Sequence, residues 1–508
     1  MGLVSWLIAL PLLTACAVVL TPARLSWAIK WIAAAGTGLH LLLTAWTIRV
    51  FWLSAASEQS ELKHASAIKL YLVERVTWFK SIGIDYLVGV DGISLSMVAL
   101  TSLVIFAGVL ASWGVTNRAK EFFALLLILV SGVFGVFVSF DLFLFFVFYE
   151  LAVLPMYLLI GIWGTGPKEY AAMKLTIMLL VGSALILVGM LAMYHAAPEH
   201  VFDLTKLAGV TFSPEFQRWV FPVIFIGFGV LGALFPFHTW SPDGHASAPT
   251  AVSMLHAGVL MKLGGYGILR VGIYLLPQGA QEWSLFFMVL ATINIVYGSF
   301  AAILQKDLKY FTAYSSVSHC GFVLLGLCTM NLMGFKGAVI QMVSHGIMTA
   351  LFFALIGMVY GRTHTRMIPE MGGLAKVMPW LAVCFYIGGF ASLGLPGLAG
   401  FIAESHVFLG GFFGNPWHDI WCLRALTVLA TVSVVVTAVY VLRGMGRVFL
   451  GEIGDPHFEE LTDATWWERA STGLLIAALV LIGVLPGFII NLIEAPLFPF
   501  VNRLQGGF

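Results

Sequence analysis

The chain alternates long apolar runs with short polar segments. A helix needs about 20 apolar residues to cross the hydrocarbon core of a bilayer, and runs of this length recur along the whole sequence. They lie near residues 3–21, 28–54, 93–113, 122–139, 142–163, 171–193, 219–238, 250–275, 284–303, 309–330, 336–359, 378–411, 420–442 and 470–493. This pattern predicts an all-α polytopic membrane protein with about 14 transmembrane helices.

Two of these runs are interrupted by proline and glycine. Run 378–411 would be about 50 Å long as one helix, and "GLPGLAG" (394–400) lies in its middle. The segment "FPFHTWSPDGHASAP" (235–249) closes the seventh run. Interruptions at corresponding places in two halves favour inverted repeats with an ion path at mid-membrane depth, although proline kinks of packing helices are an open alternative.

The loops that hold most of the lysine and arginine alternate with loops that hold few. They lie near residues 22–30, 114–121, 164–174, 304–309, 361–376 and 443–447. Because basic loops stay on the cytoplasmic side, we expect both termini to lie extracytoplasmically. We expect the membrane to be a bacterial inner membrane rather than a mitochondrial one. The first run has no basic residues before it, which favours a retained helix over a signal peptide. We divide the chain into 1–113, with a long extracytoplasmic loop at 55–91, two repeats at 122–275 and 284–442, and a last helix in 470–508.

Composition narrows the class of protein. Of the 508 residues, 60% are hydrophobic and only 10% are charged, which excludes a soluble globular protein. A net charge of +1 without charged runs gives no sign of a nucleic-acid partner, so we expect membrane proteins, lipid and small ions. The 5 cysteines form no CxxC pair, which argues against a disulfide framework or an iron–sulfur site.

Five ionisable residues fall near the middle of apolar runs. A charge there costs roughly 3 kcal/mol or more, so such side chains face one another, the bundle interior or water. A carboxylate, an amine and imidazoles in one hydrated file are suited to proton relay. Single histidines that bond backbone carbonyls, or structural ion pairs, are the plainer alternatives. The five residues are Glu150, Lys262, His319, His345 and Glu404.

At these positions the chain resembles the antiporter-like subunits of proton-pumping NADH:quinone oxidoreductase, respiratory complex I. Among these, it is most similar to the type called subunit M, or chain 4 in mitochondria, because no long lateral helix follows the fourteenth run. The resemblance covers nearly the whole chain. It rests on "VDGISL" (90–95), "DLFLFFVFYELAVLPMYLLIG" (141–161), "PFHTWSPDGHASAPTAVSMLHAGVLMKLGGYGILR" (236–270), "KDLKYFTAYSSVSHCGFVLLG" (306–326), "GAVIQMVSHGIMTALFF" (337–353) and "GLPGLAGFIAE" (394–404).

The resemblance implies two inverted five-helix repeats with broken seventh and twelfth helices. It also implies roles for single residues. Glu150 matches the glutamate that receives the coupling signal, and Lys262 matches the central proton-carrying lysine. His319 and His345 match the histidines that link two half-channels, and Glu404 matches the glutamate on the exit side.

Lys174, in "AAMKLTIMLL", matches a basic position of the family's sixth helix. Its alternative is a lysine near a loop whose ammonium group reaches the membrane surface.

One motif departs from the family. The family's seventh helix usually reads V-K-x-P-x-x-P-x-H-x-W. The corresponding stretch of this chain, "VLGALFPFHTW" (230–240), has Leu231 at the lysine position and Ala233 at the position of the first proline. We therefore expect Glu150 to lack its usual counter-charge unless Lys174, His256 or a neighbouring subunit supplies one. His256 stands where this subunit often has an apolar or acidic residue, and a helix-packing role is its alternative.

The sequence thus predicts a proton-translocating membrane-arm subunit whose partners include neighbouring antiporter-like subunits. Redox chemistry would belong to other subunits, because no paired haem histidines and no nucleotide loop are found, so we expect no cofactor here. Two alternatives stay open. One is a subunit of a Mrp-type cation/proton antiporter, and the other is a structural spacer whose channel is disabled by Leu231.

Overall fold

The computed structural model of the protein describes residues 2–55 and 63–506. Residues 56–62, a part of the predicted long loop, therefore lie outside the described residues. The structure confirms a mostly helical membrane protein. Within the described part, 12 helices are long and apolar enough to cross a membrane.

Apart from single helical turns, the first half contains nine helices and a hairpin in the described ranges. They are α1 Leu3–Leu20, α2 Ser26–Ala55, β1 Tyr71–Phe79, β2 Ile84–Val90, α3 Gly92–Ala111, α4 Ala119–Val138, α5 Leu142–Trp163, α6 Lys168–Ala196, α7 Pro214–Leu231, α8 Trp240–Ser247 and α9 Thr250–Ile273. The second half contains α10 Pro277–Ile303, α11 Leu308–Cys328, α12 Leu332–Thr363, α13 Pro379–Ser392, α14 Ala399–Phe413, α15 Ile420–Phe449, α16 Trp466–Val484 and α17 Gly487–Leu504.

Both predicted helix breaks are present. The seventh span consists of α7 and α8, and the twelfth consists of α13 and α14. Between α13 and α14, Gly394 and Gly397 have φ values of +62° and +91°, which a residue with a side chain rarely adopts. Pro396 lies between these two glycines and cannot donate a helical hydrogen bond. The "GLPG" segment therefore ends one helix and allows the next to start at mid-span.

The C-terminal region differs in detail from the single predicted run 470–493. α16 ends at Val484, and α17 follows after Leu485 and Pro486. α17 packs directly on α3, where a Cβ added to Gly92 would overlap the carbonyl oxygen of Leu492. Glycine thus permits backbone contact between the two helices.

The antiparallel hairpin of β1 and β2 is an element that the apolar pattern did not predict. It pairs Tyr71 with Val90 at one end and Phe79 with Ile84 at the other. From this hairpin, Glu74 reaches the start of α1, where it accepts hydrogen bonds from the backbone N–H groups of Gly2 at 2.7 Å and Ser5 at 2.9 Å. A carboxylate there satisfies free N–H groups and interacts favourably with the helix dipole, so the hairpin caps α1.

We expect Glu74→Gln to loosen the start of α1. Burial alone would raise the pKa of Glu74, but the hydrogen bonds from Ser5 and Gly2 outweigh burial and lower it. The stabilisation is therefore present above the ordinary carboxyl pKa and is lost as the pH falls through the lowered value. Amide hydrogen exchange in the first turns of α1 should be about fivefold faster in the variant at neutral pH, as expected for the loss of a helix cap. The difference should shrink in acid.

Glu199→Gln is the matched control, because the one ion pair of Glu199 among the described residues is an exposed pair with Lys206 at 3.3 Å. It should leave the exchange of α1 unchanged. Equal exchange in wild type and Glu74→Gln at neutral pH would show that the hairpin does not hold α1.

The helices that carry the predicted central residues lie innermost. The most apolar part of α9 is buried along its whole length, and α11 and α12 are almost as fully buried. In α1, α2, α6 and α15, less than half of the most apolar part is buried. Lys262, His319 and His345 therefore lie in the interior of the bundle.

Candidate functional site

Lys262 lies in α9 between two wide turns of π-helix, His256–Leu260 and Ile268–Ile273. Such turns are rare and occur frequently at functional sites. The side chain is 2% exposed, and its Nζ donates hydrogen bonds to the backbone carbonyl of Ala257 and to Nδ1 of His345, the latter at 3.1 Å. A buried ammonium group thus contacts an imidazole from another helix.

The two predicted histidines are stacked on each other. The rings of His345 on α12 and His319 on α11 lie 5.1 Å apart between centroids, with an angle of 26° between their planes. Two polar side chains fix the ring of His319. Gln341 donates from Nε2 to His319 Nδ1 at 3.2 Å, and the Oγ of Ser392 lies 3.0 Å from His319 Nε2.

Glu404 lies on α14, directly beyond the break in the twelfth span. Its carboxylate is buried, and Oε1 is 3.7 Å from Nδ1 of His319. The break makes room for this carboxylate, because a Cβ added to Gly394 would lie 2.6 Å from Oε2 of Glu404. The positive φ of Gly394 and the position of Glu404 are therefore two consequences of one local structure.

Lys262, His345, His319 and Glu404 form a continuous series from α9 to α14, here called the central file. Its links are 3.1 Å from Lys262 to His345, a 5.1 Å ring stack and 3.7 Å from His319 to Glu404. Beside Lys262 lies a cavity of about 10 Å³ that reaches Gly232 and Cys320. This volume is close to the 10–15 Å³ that one water needs.

His256 precedes Lys262 by six residues on α9 and contacts a histidine that the apolar pattern did not single out. Its ring is 4.4 Å from that of His245 and 5.1 Å from that of Trp240. Neither ring nitrogen of His256 has a hydrogen-bond partner in the described part of the chain. His245 in turn places Nε2 3.3 Å from the sulfur of Met261, the residue before Lys262.

Glu150 is apart from the central file. Its Oε1 is buried and has no hydrogen-bond partner among the described residues. Leu231 is fully buried at the last turn of α7. α5 and α7 touch near these residues, through Phe145 and Phe228, whose ring centroids are 5.8 Å apart.

The proposed substitutes for the missing lysine have other neighbours. Lys174 places Nζ 2.7 Å from Oδ2 of Asp243, and the hydroxyl of Tyr310 donates to the other oxygen of Asp243 at 3.1 Å. Both charged side chains are about one quarter exposed. The partner of Lys174 is thus an aspartate on α8, within the seventh span, while His256 contacts His245 and Trp240.

Sequence reasoning missed several polar residues of the site. Gln341 precedes His345 by one helical turn on α12, so the same-face spacing was an available signal. Ser392 and His245 gave no such signal, because their contacts join distant parts of the chain.

The sequence patterns also did not reveal one buried charge pair. Arg270 on α9 donates to both carboxylate oxygens of Asp91, which caps α3, and both side chains are almost completely buried.

The fold and the file define a polytopic membrane subunit with two broken helices and buried charges across its centre. The family profile described as "NADH:quinone oxidoreductase/Mrp antiporter, TM" matches residues 139–433. The chain belongs to this family of antiporter-like transmembrane subunits.

Two cyanobacterial relatives match most of this chain and most of their own length. The chain is 37% identical over 483 residues to "NAD(P)H-quinone oxidoreductase chain 4" of Gloeobacter violaceus, covering 94% of this chain and 89% of the relative. It is 39% identical over 445 residues to "NAD(P)H-quinone oxidoreductase chain 4 3" of a Picosynechococcus species, covering 87% and 78%. These relatives are named as subunits of quinone-reducing complexes.

Solved structures give the same fold. A chain of respiratory complex I from Thermus thermophilus with bound NADH matches with a TM-score of 0.85 and 28% identity, covering 99% of both chains. A chain of the Mrp complex from a Dietzia species matches with a TM-score of 0.81 and 20% identity over the whole of both chains. At that identity the second match supports the fold alone.

Proposed function

We propose that this chain is a proton-translocating membrane-arm subunit of a complex I-type NAD(P)H:quinone oxidoreductase. The electrons would pass through other subunits, and this chain would move protons along the central file. The observation that carries the proposal is the series of neighbouring side chains from Lys262 through the two histidines to Glu404. Ionisable side chains are costly to place in a membrane interior, so a series of four in contact indicates a use beyond packing.

The geometry supports a sequence of proton transfers. Lys262 Nζ donates to His345 Nδ1 at 3.1 Å, so a proton can pass along this bond. Nε2 of His345 is buried and lacks a partner within the described ranges, which leaves it free to give up its proton through a water or a ring rotation. His319 would receive that proton and pass one from Nδ1 to Glu404. This transfer requires the Gln341 amide to turn so that it no longer donates to Nδ1, and a water or a small side-chain shift to close the 3.7 Å gap.

The other half of the path would bring protons to Lys262. His245 lies two residues after Asp243, its ring contacts that of His256, and its Nε2 is 3.3 Å from the sulfur of Met261, the residue before Lys262. We assign His256 and Lys174 to this entry side, with Lys174 placed by its pair with Asp243. Glu150 would respond to charge movement in the adjoining subunit, because it has no cation at Leu231 to pair with.

The departure at Leu231 leads to a test of the Glu150 site. Leu231→Lys should be incorporated into the complex normally when Glu150 is present, because Glu150 Oε1 has no described partner and can accept the new cation. The double variant Leu231→Lys/Glu150→Gln should be incorporated poorly, since a buried charge without its partner costs about 3–5 kcal/mol. Subunit content in isolated membranes, measured by quantitative mass spectrometry, tests both expectations.

Leu231→Met and Glu150→Gln alone are the controls, and both should be incorporated normally. If Leu231→Lys and the double variant show equal content, the new lysine does not pair with Glu150, and our account of this departure from the family is wrong.

The two alternative functions predict different partners and activities. A Mrp-type subunit would co-purify with other antiporter subunits and without redox proteins. A spacer with a disabled channel would assemble with redox subunits, but its substitution at Lys262 would leave proton translocation unchanged.

Purification of the chain in mild detergent from its native membrane tests the proposal. We expect iron–sulfur subunits to co-purify with it and the isolated assembly to reduce quinone with a nicotinamide donor. In vesicles, that reduction should drive proton uptake. A complex of antiporter subunits that exchanges cations for protons without quinone reduction would overturn the proposal.

A further inference from the structure

A cleft opens between the end of α10, the start of α11 and the last turns of α15. It encloses about 180 Å³. One water needs only about 10–15 Å³, so the cleft has room for a group much larger than a single water.

Three cations border this cleft: Lys306, Arg443 and Arg447. All three side chains are exposed, and none has an ion-pair partner among the residues described. The carboxylate next to Lys306 in sequence, Asp307, is bound by Arg366 at 2.6 Å. The cleft therefore presents positive charge that the described protein does not neutralise.

The helices below the cleft are apolar and outward-facing. Leu304 is 76% exposed, Phe300 is 54% exposed and Leu442 is 49% exposed, which suits contact with hydrocarbon. Each lies within about one turn of a cleft residue on its own helix. The cations thus stand at the boundary between a polar loop layer and a lipid-facing surface.

We propose that this cleft binds the phosphate headgroup of an anionic phospholipid, whose acyl chains lie along α10 and α15. Lysine and arginine pockets between transmembrane helices attract anionic headgroups. Arginine adds bidentate hydrogen bonds to phosphate oxygens. A free phosphate ion would use the cations but not the adjoining apolar surface, so the combination favours a lipid.

The test uses the assembled complex in nanodiscs that contain a photoactivatable lipid. Photoactivatable phosphatidylglycerol should label the two segments that line the cleft, and photoactivatable phosphatidylcholine should label them much less. The variant Lys306→Gln/Arg443→Gln/Arg447→Gln should reduce labelling by phosphatidylglycerol about fivefold or more. Labelled peptides are identified by mass spectrometry after digestion.

Two further variants separate charge at the cleft from total charge and from misfolding. The control Arg24→Gln/Lys120→Gln/Lys376→Gln removes three cations from other basic loops and should leave labelling unchanged. The variant Lys306→Arg/Arg443→Lys/Arg447→Lys keeps the charge and should retain most of the labelling.

Three results would overturn the proposal. Equal labelling by the two lipids would show a non-selective surface. Loss of labelling with millimolar inorganic phosphate would show a site for a free anion. The third result is that no lipid labels the cleft of the wild-type complex and the cleft instead cross-links to an acidic segment of an adjoining subunit. This result would show that a protein, not a lipid, occupies the cleft.

Discussion

Lys262→Ala is expected to abolish most proton translocation while leaving the subunit in its complex. The ammonium group is the only described donor to His345 Nδ1, so its removal breaks the central file at its first link. The loss of a positioned proton-transfer group costs roughly 10²–10⁴ in rate, and we expect at least about a tenfold fall in the translocation rate. Apolar contacts around α9 hold the fold, so subunit content should stay near wild type.

Proton uptake into inverted membrane vesicles, measured beside quinone reduction and subunit content, provides the readout. Lys168→Ala is the matched control, because Lys168 also donates to a backbone carbonyl, that of Ile162 at 2.9 Å, but lies at the start of α6. It should translocate normally. If Lys262→Ala translocates protons at the wild-type rate, protons do not move along the central file.

Glu404→Gln is expected to impair translocation more strongly than Glu404→Asp. Glutamine keeps the size of the side chain but cannot take up a proton from His319, whereas aspartate keeps the acid on a shorter stem. The carboxylate is buried and 3.7 Å from His319, so loss of its proton affinity should slow exit by about tenfold or more. Aspartate should retain an intermediate rate.

The same vesicle assay distinguishes the two variants. Glu494→Gln serves as the control because Glu494 pairs with Lys336 at 2.7 Å at a more exposed place on α17. If Glu404→Gln and Glu404→Asp translocate equally well, then Glu404 does not exchange protons during turnover. Reduced content of both variants would instead assign Glu404 a structural role.

Much of the architecture followed from local features of the sequence. Apolar runs long enough to cross a bilayer predicted the spans, because the thickness of the hydrocarbon core sets their length. The breaks at 235–249 and 394–400 were visible because proline and glycine cannot continue a helix without cost. Buried charges stood out as well, since a membrane interior penalises each one separately.

The hairpin of β1 and β2 was not predicted, because its strands lie in the polar segment between two spans and their pairing joins residues outside any apolar run. Its capping of α1 by Glu74 joins residues 69 or more positions apart. Local pattern contains no information on such a contact.

The sequence thus determined which ionisable residues lie in the membrane interior. Tertiary structure decided which of these residues contact one another. Helices such as α9 and α12 are apolar on all sides, so no amphipathic face indicates how they rotate about their axes. Only packing turns Lys262 toward His345, which is 83 positions away, and Gln341 and Ser392 toward His319. The same packing pairs Lys174 with Asp243 and leaves Oε1 of Glu150 without a described partner. Such pairing depends on which helices of the bundle become neighbours.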